Sequence, residues 1–163
     1  MNNEKLFEKL IGEARTPDKL SVLYQFRNDL EKREFSVLLR YWWITTEFPN
    51  QYPKYIILEM FKLADKKFLN DKSSFDYLHN TVKVYRGVQD CSKIGKMKVK
   101  AFSWTTDLKK ALWFSKRWRK DGSGKVYTAY IAKKDIFMFN NGREENEIVL
   151  NPNKLIYLKE DRA

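Results

Sequence analysis

The spacing of apolar residues changes period once along this chain, near Asn80, and that change limits the fold more than any single motif. Before it, apolar positions recur every three to four residues. Leu20, Leu23, Tyr24, Phe26 and Leu30 form one series, Phe35, Leu38, Leu39, Trp42 and Trp43 a second, and Tyr55, Ile56, Met60, Leu63 and Phe68 a third. Thr16-Pro17-Asp18 predicts a helix start, with a cap, a proline at the first helical position and an acid in the first turn. Pro49 and Pro53 separate the second and third helices, and Asp71-Lys72-Ser73-Ser74 caps a short helix through Phe75, Leu78 and His79. After Asn80 the pattern alternates. Strands are expected at 82–86, 98–103, 125–132, 136–139, 145–150 and 154–158, with turns at 121–124 and 140–142. One helix, from Asp107 to Trp118, interrupts them. Helices followed by strands predict an α+β domain, an N-terminal helical lobe ahead of a mostly antiparallel β core. At 163 residues a single domain, 1–163, is expected, with a helical lobe over 1–80 and a β-rich core over 81–163.

Several chemistries are excluded by what the chain lacks. Cys91 is its only cysteine, so no intramolecular disulfide and no thiolate metal cluster can form. His79 is its only histidine, which excludes any site needing two histidine ligands and disfavours a nucleophile–histidine pair. The N-terminus lacks the apolar run of a signal peptide, and 41–44 and 55–58, the longest apolar stretches, are far too short to span a bilayer. A soluble cytoplasmic protein with no membrane association is expected.

The net charge is +11 and it is concentrated. Residues 1–80 carry 13 Lys and Arg against 12 Asp and Glu, residues 121–163 carry 7 against 7, and residues 81–120 carry 12 against 2. Such a block is either a solvated lysine-rich face or a surface for a polyanionic or nucleic-acid-bound target.

Three polar intrusions into the apolar strands carry the chemistry. Tyr85-Arg86-Gly87 ends a strand with a guanidinium, which binds phosphate or ribose oxygens in a fork, and a glycine, which lets a ligand approach the backbone. Ser103-Trp104-Thr105 places hydroxyls beside an apolar strand, on the face shared by Val99 and Ala101, although such a serine also serves as a cap into the next helix. Glu145-Asn146-Glu147 opens the strand 145–150, where residues two apart share a face about 6.5–7 Å from one another. Two carboxylates on one face suit glycosidic cleavage, whose transition state carries positive charge. Charged side chains facing water would look the same.

In that order the three motifs resemble the Arg–Ser–Glu signature of the mono-ADP-ribosyltransferases, over roughly the second half of the chain. The resemblance implies a split β core with NAD as co-substrate, no metal, and a helical lobe covering the NAD cleft. It assigns NAD binding to Arg86 and Gly87, and support of the pocket to Ser103 and Thr105. Glu147 becomes the catalytic carboxylate at the nicotinamide ribose. Glu145 becomes the group that activates an arginine acceptor. The helix through Ala111-Leu112-Trp113-Phe114 also matches the family pattern, whereas Trp104 departs from the usual central threonine. Trp104, Trp118 and Tyr127 are the aromatic candidates for packing on nicotinamide. A histidine-type site of the diphtheria-toxin branch is not supported, because Arg86 stands in its place.

The activity expected on this basis is transfer of ADP-ribose to an intracellular protein, by a monomeric, phage-encoded or host-modifying factor. Two alternatives within enzymes are NAD hydrolysis and ADP-ribosylation of nucleic acid. Outside enzymes, a non-catalytic module could bind nucleic acid through the basic segment 81–120.

Overall fold

The computed structural model describes residues 3–12, 18–47, 49–91, 95–118 and 124–161. The chain divides into two compact units, Met1–Asp71 and Lys72–Ala163. The helix start expected at Thr16-Pro17 and the turn at 121–123 lie outside the described residues.

The first unit is helical: α1 (Asn3–Gly12), α2 (Lys19–Gln25), α3 (Lys32–Thr45), α4 (Lys54–Leu63) and α5 (Lys66–Leu69). Its interior is built by Leu10, Leu20, Leu23, Phe35, Leu39, Trp42, Trp43, Met60 and Phe61, all buried. Trp43 meets Phe61 edge-on with centroids 5.0 Å apart. Side chains of this size contribute roughly 1.5–3 kcal/mol each on burial.

Two helix boundaries differ from the sequence expectation, each for a local reason. The helix expected to reach Leu30 stops at Gln25, because the Tyr24 carbonyl accepts from Arg27 Nη1 at 2.9 Å instead of continuing the ladder. The helix expected through Phe68 is two helices. Asp65 caps the second by accepting the Lys67 amide at 3.0 Å. Its own amide donates to the buried Ser36 Oγ at 2.8 Å, which ties the α4–α5 corner to α3.

The second unit holds α6 (Lys72–Asp76), β1 (Thr81–Val88), β2 (Asp90–Cys91), β3 (Gly95–Lys96), β4 (Ser103–Thr105), α7 (Leu108–Lys116), β5 (Lys125–Ala132), β6 (Ile136–Asn140), β7 (Glu147–Leu150) and β8 (Ile156–Asp161). Six strands make one sheet in the order β6-β7-β4-β1-β5-β8, every neighbour antiparallel. The architecture is α+β, with the helices mostly N-terminal.

The sheet parts at its middle. β1 pairs with β5 through eight residues, from Thr81–Ala132 to Val88–Lys125, but it meets β4 at the pair Tyr85–Thr105. β4, β7 and β6 therefore form one half, and β1, β5 and β8 the other. One face buries Val82, Val84, Trp104, Ala129, Ile131, Ile148 and Leu150, against which Phe75, Leu78 and Leu155 pack. On β1, Gly87 alternates onto the opposite face, where α7 packs. Among the described residues no helix is long and apolar enough to cross a membrane.

The strand expected at 98–103 is mostly absent. Its carbonyls serve other partners: Lys98 O accepts from Arg86 Nε at 3.0 Å, Val99 O from the Ala101 amide at 3.0 Å, and Ala101 O from Trp104 Nε1 at 2.8 Å. With those groups satisfied, the segment bends, and only Ser103–Thr105 joins the sheet. The face that Ser103 was expected to share with Val99 and Ala101 therefore does not exist.

Candidate functional site

Arg86 occupies the place where the two halves of the sheet separate. It follows Tyr85, the β1 residue paired with β4, and its buried guanidinium takes over from the missing strand pairing. Nη1 donates to the Ser103 carbonyl at 2.6 Å and Nε to the Lys98 carbonyl at 3.0 Å. Burial pushes its pKa down to about 10, and the charge of Glu147 opposes that shift. Even at about 10 the group stays protonated at neutral pH, so a charged guanidinium lies within electrostatic reach of Glu147.

The hydroxyl and acidic motifs come together on neighbouring strands. Ser103 pairs with Val149, Trp104 with Ile148, and Thr105 with Glu147. Residues directly opposite in an antiparallel pair share a face. A single row therefore crosses the sheet on the face away from Trp104, running Lys159–Thr128–Tyr85–Thr105–Glu147–Asn140. Within it Tyr85 and Glu147 are half-buried, and Thr105, Thr128 and Asn140 are buried.

Each motif residue acquires a distinct place. Thr105 is buried and its hydroxyl works inside the protein, donating to the Glu145 carbonyl at 2.7 Å and accepting the Asp107 amide at 3.0 Å. It is a positioning residue that fastens the acidic loop to the start of α7, where Asp107 in turn accepts the Lys109 amide at 2.8 Å. The Thr106 amide adds a bond to the Asn146 carbonyl at 3.1 Å. Ser103 is half-buried, and its carbonyl accepts from Arg86.

The expected geometry of the two glutamates needs correction. β7 begins at Glu147, and Glu145 precedes it in a loop where Glu144 and Asn146 take positive φ of 53° and 46°. A left-handed residue between them breaks the alternation, so strand spacing does not put the two carboxylates on one face. Glu145 belongs to the loop that Thr105 holds, and Glu147 to the sheet.

Gly87 is a glycine for another reason than the one expected. A Cβ there would lie 2.5 Å from the Ser115 amide nitrogen, and nearer still to the Ala111 carbonyl oxygen. The backbone that approaches Gly87 belongs to α7.

The aromatic candidates also change. Trp104 is buried in the core on the opposite face, bonded to the Ala101 carbonyl. Tyr127 packs against the same core. Trp118 stands beyond the end of α7 with Arg117 over its ring at 4.4 Å. Tyr85 is the aromatic side chain beside Thr105 and one strand from Glu147, and sequence reasoning missed it because it looked like the apolar neighbour of Arg86. The signal was the alternation itself, which gives Tyr85 the face opposite Val84. Lys83 joins it: the ammonium lies 5.3 Å from the Tyr85 ring centroid, and its pKa is raised, first by hydrogen bonding to Tyr85 and then by the charge of that phenol.

Among the described residues no group of three or more His, Cys, Asp or Glu side chains could hold a metal ion. Comparison with protein-family models, with curated proteins and with solved structures gives no match.

Proposed function

We propose that this chain is an NAD-dependent mono-ADP-ribosyltransferase acting on an arginine of an intracellular protein. One observation carries the proposal: three motifs far apart in sequence, ending in Arg86, Ser103 and Glu147, meet around one gap in the sheet, with the charge of Glu147 acting on Arg86. The groups gathered there suit a dinucleotide. They are a charged guanidinium for phosphate or ribose oxygens, which alternation puts on the Val84 face of β1, and, on the other face of the sheet, the row that carries the Tyr85 ring and the Glu147 carboxylate.

NAD, when bound, supplies a glycosidic bond whose cleavage leaves positive charge on the ribose. Glu147, anchored by its backbone between β4 and β6, would hold a carboxylate against that charge. Glu145, in the loop that Thr105 fixes, would receive the acceptor guanidinium. Arg86 would bind with the N–H groups it does not spend on Lys98 and Ser103, from a position its main-chain bonds keep rigid.

The test is nicotinamide release and arginine labelling measured side by side on Glu147→Gln and Glu145→Gln. Glu147→Gln should lose both while staying folded, a loss on the order of 10²–10³ in rate or more. Glu145→Gln should lose labelling and keep much of the nicotinamide release. Wild-type nicotinamide release by Glu147→Gln would end the proposal, and normal arginine labelling by Glu145→Gln would end its acceptor assignment.

A further inference from the structure

The outer face of α7 differs from an ordinary solvated helix face. Ala111 and Ser115 are buried toward the sheet, while Leu108, Leu112 and Trp113 are 42%, 38% and 51% exposed. Lys109, Trp113 and Arg117 follow at i, i+4 and i+8, so they form one stripe along the helix and its C-terminal extension. Leu112 and Lys116 run beside it, and no acidic residue occurs between Leu108 and Trp118.

At the end of the stripe the Arg117 guanidinium lies 4.9 Å from the Trp113 ring centroid and 4.4 Å from that of Trp118. Buried Gln89, just past β1, holds this end in place. Its Nε2 donates to the Phe114 carbonyl at 3.0 Å, and its Oε1 accepts the Trp118 amide at 3.2 Å. Two indoles and a planar cation are therefore mounted on a clamped helix end.

Stability does not account for this surface. Lys109 is in the first turn of α7, where the helix dipole disfavours a cation. Half of Trp113 is in water, where a large aromatic surface gains nothing by being displayed. Cations interleaved with exposed aromatic faces are the recognition chemistry of unpaired bases: the aromatics stack on bases of any sequence while the cations track the phosphates. The local charge, 12 Lys and Arg against 2 Asp and Glu over residues 81–120, is complementary to such a strand.

We infer that the Lys109–Trp113–Arg117–Trp118 face of α7 binds single-stranded nucleic acid, with bases stacked on Trp113 and Trp118 and phosphates on Lys109, Lys116 and Arg117. The inference stands apart from the proposed activity, because none of these residues belongs to the Arg86–Ser103–Glu147 site.

The probe is a fluorescein-labelled 20-nucleotide oligothymidylate, titrated by anisotropy with the full chain between low and physiological salt. The wild type should bind with a log–log salt slope of about −2, as expected for three phosphate contacts on a single strand. Trp113→Ala should weaken binding about tenfold or more and leave the slope unchanged. The double variant Lys109→Glu/Lys116→Glu should weaken binding and flatten the slope by about 1.4. A duplex of the same length should bind less well, because its base faces are stacked away. All three positions are exposed, so the variants should melt with the wild type. Absence of binding at low salt, equal affinity of Trp113→Ala, or equally tight binding of polyglutamate would each overturn the inference, the last by assigning the face to an acidic protein segment.

Discussion

Gly87→Ala is the substitution that most directly tests how β1 and α7 were fitted together. The new methyl would face backbone, with the Ser115 amide nitrogen at 2.5 Å, the Phe114 carbonyl carbon at 3.0 Å and the Ala111 carbonyl oxygen closer than either. Ordinary contact begins near 3.4 Å, so α7 must move out by about 1 Å, or β1 must bend away. No flexible side-chain end is available to yield. Overpacking of this kind costs about 1–3 kcal/mol, and rigid neighbours place it at the upper end. Alanine also restricts the unfolded chain, which returns about 0.4–1 kcal/mol. The net is about 2 kcal/mol, a fall of about 4–8 °C in melting temperature for a chain of this length.

The assay is thermal unfolding followed by far-ultraviolet circular dichroism, with two companions. Gly124→Ala presses on the same turn, its Cβ falling 2.5 Å from the Ser115 carbonyl carbon, and should destabilise at least as much. Combined with Gly87→Ala it should cost less than the sum, since one displacement of α7 relieves both. Gly12→Ala, with nothing within 4 Å of the added carbon, should leave the midpoint unchanged or slightly higher. If Gly87→Ala melts within about 1 °C of the wild type yet loses NAD affinity, the helix-packing account is refuted and the glycine exists for a ligand.

Other substitutions probe single joints. Thr105→Val removes both bonds of the hydroxyl, to the Glu145 carbonyl and from the Asp107 amide, and should cost about 1–3 kcal/mol in urea unfolding; Thr105→Ser should recover most of it. Ser36→Ala leaves the Asp65 amide without its acceptor at the α4–α5 corner and should cost about 1–3 kcal/mol in the same assay. Glu59 accepts from the Tyr24 hydroxyl at 2.7 Å and from Arg27 Nε at 2.9 Å, and these bonds, the Tyr24 bond first, hold its carboxyl below the usual 4.5. A depressed folded pKa gives stability that is present above about pH 4.5 and lost as pH falls through the folded value, so Glu59→Gln should melt below the wild type at pH 7 and converge with it in acid.

What was legible in the sequence was what period and order carry. The change from helical to alternating spacing fixed the α+β class, and the motif order put Arg86, Ser103 and Glu147 on strands that prove to be neighbours. What was not legible turned on where single backbone groups find partners. Lys98–Val99–Lys100 alternates like a strand, but its carbonyls are claimed by Arg86 and by local amides, a competition no local window displays. Asn146 was read as an ordinary strand residue, although asparagine is among the few residues that visit left-handed backbone readily, and one such residue undid the shared face of Glu145 and Glu147. Gly87 and Tyr85 were misjudged together, because the helix that covers one and the row that includes the other are made by contacts distant in sequence.

Arg86 joins the stability of the sheet to the chemistry of the site. An arginine at a sheet seam is costly to bury, as its lowered pKa records, and the structure offsets that cost with two carbonyls and the charge of Glu147. The same interactions that make the seam tolerable therefore also orient a cation beside a carboxylate. It follows that stability and chemistry cannot be separated at Arg86: removing it takes the Lys98 and Ser103 bonds along with any ligand contact, and lysine would keep the charge without the planar fork that spans both carbonyls. Glu147 differs, because its backbone is paired on both sides, to Thr105 and to Asn140, whatever its side chain carries. Exchange of its carboxylate for an amide leaves that pairing intact and changes one charge in the gap. The chemistry of the site is therefore better tested at Glu147, where the exchange takes from the fold only the charge that offsets burial of Arg86, whereas at Arg86 a loss of activity would report the seam as much as the reaction.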